Sequence, residues 1–91
     1  MAMGKIFSKN WAGKECALVD TKTGVAVDVG EKRVTSRNET VMVTGGKAPH
    51  KEASSGRVWC DIIVDEEGNE LIKFISTEWF PSVIGCHWEE P

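Results

Sequence analysis

The residues of this 91-residue chain best equipped for chemistry are three cysteines and two histidines: Cys16, Cys60, Cys86, His50 and His87. Together they offer enough soft ligands for a tetrahedral zinc ion. Structural zinc sites usually take two ligands from one close pair such as C-x₂-C, and here the only adjacent pair is Cys86–His87. Neighbours on a strand point to opposite faces, which argues against a shared metal. The spacing therefore predicts no metal and no cofactor. Cys60 alternates with Val58, Ile62 and Val64, the pattern of a buried thiol acting as a small hydrophobe. A cysteine nucleophile would need a thiolate beside His50 or His87 and an orienting acid such as Asp61. Each of these residues instead stands in a context of strand packing. The sequence contains no G-x-S-x-G, H-E-x-x-H, phosphate-loop or dinucleotide-binding pattern. Its paired carboxylates, Glu66–Glu67 and Glu89–Glu90, fall in a turn and a tail. A protein without enzymatic activity is expected.

Two groups of residues are better suited to binding. Residues 32–57 hold Lys32, Arg33, Arg37, Lys47, Lys51 and Arg57 against Glu39 and Glu52, a local excess of four positive charges. Lys47, His50, Lys51 and Arg57 lie in or beside a glycine-rich stretch, 45–56 (GGKAPHKEASSG), with no core periodicity. Such a loop can track phosphates, and Trp59 beside it can stack on a base. Any nucleic-acid contact is expected to be weak, because the whole chain is acidic, with a pI near 5.3. The second group is aromatic. Trp79, Phe80 and Trp88 put three large rings within ten residues, next to Pro81, and with Trp59 they form the candidate aromatic surface. Tryptophan is enriched both in cores and at interface hot spots, so these rings either plug the fold or receive a partner.

Charge and length narrow the setting. Residues 1–57 carry 10 Lys/Arg against 6 Asp/Glu, while residues 58–91 carry 1 against 8. Either the molecule is dipolar or the halves neutralise each other by interleaving in a sheet, and the second is the expectation for so small a fold. An odd cysteine count without an apolar leader predicts free thiols and a reducing, cytoplasmic setting. No apolar run is long enough to span a membrane.

The elements that must position these residues are strands. Apolar residues recur with a period near two in Glu15–Asp20, Val25–Val29, Thr40–Thr44, Arg57–Val64, Glu70–Ile75 and Val83–Trp88. Thr21–Gly24 closes a first hairpin and Asp65–Asn69 a second, with Gly68 at the left-handed position. Gly30–Glu39 reads as a loop or a short edge strand. Ser76–Ser82 reads as a turn, or one turn of 3₁₀ helix, ended by Pro81, and Gly85 as a bulge or a close backbone approach. The fold class is all-β: one domain over residues 1–91, a small antiparallel barrel of five to six strands, SH3-like or OB-like, with an irregular loop at 45–56. The expected function is a binding or adaptor module for an unknown protein partner, with the Gly45–Gly56 loop and nearby aromatics as its working surface, or a surface for self-association through apolar edges. The alternative is a nucleic-acid-binding barrel using residues 32–57.

Overall fold

A computed structural model describes residues 4–90. The chain runs β1 (Phe7–Lys9), β2 (Glu15–Asp20), β3 (Lys32–Val34), β4 (Thr40–Lys47), β5 (Arg57–Val64) and β6 (Glu70–Trp79). A 3₁₀ helix (Pro81–Ile84) and β7 (Cys86–Glu89) follow. The fold is all-β and its strands form two antiparallel sheets, one ordered β1-β2-β7 and one ordered β3-β4-β5-β6. No closed barrel is found among them, and β3 and β6 stand at the two edges of the larger sheet. Among the described residues no helix is long and apolar enough to cross a membrane.

Alternation builds the larger sheet. Along β5, Val58, Cys60 and Ile62 are buried while Trp59 is exposed and Asp61 half-buried. On β4, Val41 and Val43 are sealed from solvent and lie opposite Ile62 and Cys60. In the smaller sheet β2 is central, and Cys16, Leu18 and Val19 are all buried. Leu18, Val41, Val43, Val58, Cys60 and Ile62 join Ile6, Val27, Ile84 and Cys86 in one core shared by the two sheets. Full burial of a valine or leucine contributes about 1.5–3 kcal/mol, so this cluster is the main support of the fold.

Several expected boundaries move. The irregular segment is 48–56, because Gly45, Gly46 and Lys47 continue β4 opposite Trp59, Val58 and Arg57. Glycine is a poor strand former by composition, yet here a register shift between Val43 and Gly45 and two tryptophan rings occupy the space that side chains would fill. Val25–Val29 is no strand. It is held by the isolated bridges Val19–Ala26 and Lys5–Asp28 and by backbone bonds such as Val27 N–H to the Leu18 carbonyl, with Val27 buried in the core and Val25 exposed. Ser76–Trp79 extends β6 rather than turning, and Val83 and Ile84 belong to the 3₁₀ helix. Gly85 caps that helix at φ 70°, its N–H donating to the Ser82 carbonyl. The described residues form seven strands rather than five or six: β3 is the short edge strand allowed for Gly30–Glu39, and β1, at three residues, is too short to show a period.

Arg33 ties the sheets together. Its guanidinium donates to Asp20 at 2.5 Å, to Glu31 at 3.0 Å and to the Ile84 carbonyl at 3.1 Å. The Arg33 hydrogen bond and the Thr23 and Lys22 backbone N–H groups hold the Asp20 carboxyl down at about 2. On the opposite side Trp88 lies over Gly46 and Gly56. A Cβ at either glycine would come within 2.7 Å of the ring. The Trp88 indole N–H donates to the Arg57 carbonyl at 3.2 Å, so this ring fastens β7 to the β4–β5 pair.

Candidate functional site

The three thiols are packing groups. Cys16, Cys60 and Cys86 are free and buried. Burial pushes the thiols of Cys60 and Cys86 up to about 11, so both stay protonated at neutral pH. His50 is exposed on the 48–56 loop. His87 shares a hydrogen bond with Thr21 across the smaller sheet and lies 3.4 Å from Glu89. Among the described residues no group of three His, Cys, Asp or Glu side chains could hold a metal ion.

The three arginines of the basic segment make internal contacts. Arg33 is the clamp described above, and Arg37 pairs with Glu39 at 3.3 Å. The Arg57 guanidinium stacks over the Phe80 ring, 4.2 Å from its centre, and donates to the Gly56 carbonyl. Lys47 stands beside Arg57 at the end of the β4–β5 ladder, while His50 and Lys51 sit on the exposed turn of the loop. The loop's ends are anchored. Ala48 is buried and its N–H donates to Ser8 Oγ, and the Pro49 carbonyl accepts from the Trp11 N–H. Trp11, itself half exposed, is an aromatic that no local pattern marks for this position.

The aromatic group divides in two. Trp79 and Trp88 pack against the core. Trp59 and Phe80 face outward on the larger sheet, about half exposed. Strand pairing sets out that outer face in rows: Lys47 beside Arg57, Gly45 beside Trp59 beside Glu78, and Met42 beside Asp61 beside Ser76. The indole of Trp59 lies over Gly45, where a Cβ would meet the ring at 3.1 Å. Around it Thr44, Trp59, Asp61, Ser76 and Glu78 line a shallow open hollow of about 380 Å³. Asp61 accepts from the Ser76 hydroxyl at 3.1 Å.

The edge of this sheet is the largest unsatisfied feature. β6 is the longest strand, ten residues, and it pairs only with β5. Ile72 is fully exposed, and Phe74 and Ile75 are 51% and 53% exposed; Ile72 and Phe74 lie where the β5–β6 register shifts, between the Val64–Glu70 and Ile62–Ile75 pairs. Alternate backbone N–H and C=O groups of an edge strand have no ladder partner within the chain. A sequence reading marks β6 as a strand but gives no sign that it lies at an edge.

The halves of the chain do not neutralise each other as the interleaving argument expects. Among the described residues, every ion pair of a lysine or arginine joins residues between 5 and 39: Lys5–Asp28, Arg33–Asp20, Arg33–Glu31 and Arg37–Glu39. The basic half consumes its own carboxylates, because Asp20, Asp28 and Glu31 lie in the turns that flank β2 and β3. Asp61, Glu70 and Glu78 on the β5–β6 pair are left with no such partner. Comparison with known protein families, curated proteins and solved structures finds no match.

Proposed function

We propose that this chain is a non-enzymatic binding module that takes up an extended segment of a partner protein along the open edge of β6. The observation that carries this reading is the ten-residue edge strand with Ile72, Phe74 and Ile75 exposed beside its free backbone groups. Adding a strand there would satisfy those groups and cover those side chains at once, which is how sheet edges recognise extended peptides. The architecture is read as a small SH3-like barrel left open along this edge. A protein partner is favoured over nucleic acid because Arg33, Arg37 and Arg57 are engaged internally, and because Asp61 and Glu78 flank the exposed Trp59 ring. Free, buried thiols fit a reducing cytoplasm.

Selection of short random peptides displayed against the folded protein, followed by amide chemical-shift mapping, tests this. The expected result is a set of binders whose shifts run along residues 70–79. Binders that shift residues 48–56 instead, or failure to select any, would overturn it.

A further inference from the structure

Resting on that reading of the β6 edge, we infer that the segment it accepts is basic: an extended stretch with apolar residues and a lysine or arginine placed over the outer face of the sheet. The argument is charge complementarity. Residues 58–91 hold eight acidic side chains and one basic, Lys73, and the lysine and arginine ion pairs of the described residues all lie elsewhere, between residues 5 and 39. A strand added to β6 lies about 4.8 Å from it, and its outward side chains fall beside Ser76 and Glu78. One strand further in are Asp61 and the exposed ring of Trp59, directly across from Ser76 and Glu78. The stem of a lysine or arginine is long enough to cross one strand spacing. Its cation then meets the Trp59 ring on the side of Asp61 and Glu78, in the shallow hollow they line, while Arg57 in the next row is held over the Phe80 ring.

A second copy of this chain fits the same edge poorly. Antiparallel two-fold pairing of β6 centred on Phe74 sets Glu70 against Glu78 on both sides, and centring on Lys73 sets the two lysines face to face. Centring on Ile75 puts Ile72 against Glu78. Each of these registers misplaces a charge that a basic foreign strand would match.

The peptides selected against the edge test this separately from the edge itself. Binders of the wild-type protein should be enriched in Lys or Arg at one position. Replacing that residue by glutamine should weaken binding about ten-fold, the scale of a partly desolvated cation over an aromatic ring. In the Asp61→Asn, Glu78→Gln protein the same replacement should change affinity less than two-fold, while amide shifts still run along residues 70–79. Wild-type binders that map to β6 without basic enrichment would overturn the basic-segment inference and leave the edge reading standing. Binders that map elsewhere, or none at all, would overturn both. A concentration-dependent dimer in sedimentation with protected β6 amides would assign the edge to a second copy and overturn the inference.

Discussion

At the scale of single residues the fold depends on a few tight contacts. Gly56 has φ +77°, and a Cβ there would lie 2.7 Å from both the Lys47 carbonyl and the Trp88 ring. Gly56→Ala should therefore lower stability by about 1–3 kcal/mol from crowding alone, with backbone strain added. Gly68→Ala has a similar φ of +88° but open space around it, and should cost only the strain. Chemical denaturation of both variants measures the difference. A cost at position 68 equal to that at 56 would contradict the stacking of Trp88. Asp20 makes a second test. Its carboxyl is held at about 2 in the folded chain against an ordinary value of 3.8, chiefly by Arg33. A depressed carboxyl contributes stability that is present above the ordinary value and is lost as pH falls through the folded one. The wild-type melting temperature should therefore fall between about pH 4 and pH 2 more steeply than that of Asp20→Asn. Cys60 and Cys86, protonated and buried, should resist alkylation at neutral pH until the protein unfolds.

At the scale of elements, loop 48–56 and strand β6 part company. Replacing residues 50–55 with a short Gly/Ser linker should leave the melting temperature within a few degrees, since loop closure changes by only about 0.6 kcal/mol per doubling of length. Extending the deletion to Ala48 and Pro49 removes a buried residue and the carbonyl that Trp11 bonds, and should destabilise the protein measurably. Ile72→Lys with Phe74→Lys should shift stability by no more than about 0.5 kcal/mol per site, because both are exposed, yet should abolish peptide binding. Much of this layout is legible in the sequence. Alternation marks β2, β4 and β5, and Asp65 with Gly68 marks the hairpin turn, where Asp65 Oδ1 accepts from the Glu67 and Asn69 N–H groups. β1 escapes because three residues carry no period, and β3 is visible only as the short-edge-strand alternative for Gly30–Glu39. Gly45–Lys47 escapes because a glycine pair signals a loop unless the rings that cover it are known. The candidate site is less legible still. Trp59 and Phe80 could be named as exposed candidates, but whether Ile72, Phe74 and Ile75 meet a neighbour or solvent depends on strand order. Strand order is a long-range property that local pattern does not encode.

At the scale of the whole molecule, two small sheets share one core and leave one long edge unpaired, and the charges follow the same division. The arginines of the N-terminal half hold turns and sheets together, while among the described residues no lysine or arginine pairs with Asp61, Glu70 or Glu78 on β5 and β6. The core draws on both halves of the chain, while Ile72, Phe74 and Ile75 are exposed on β6 between Glu70 and Glu78. Photo-crosslinking in the native host tests this account most directly, with p-benzoylphenylalanine in place of Phe74 in one protein and of Lys51 in another. The account predicts that the probe at 74 joins an extended, lysine- or arginine-bearing segment of one other protein, located by mass spectrometry of the cross-linked peptide, and that the probe at 51 does not. Cross-links from position 51 but not 74, or from position 74 only to nucleic acid or to a second copy of the chain, would contradict it.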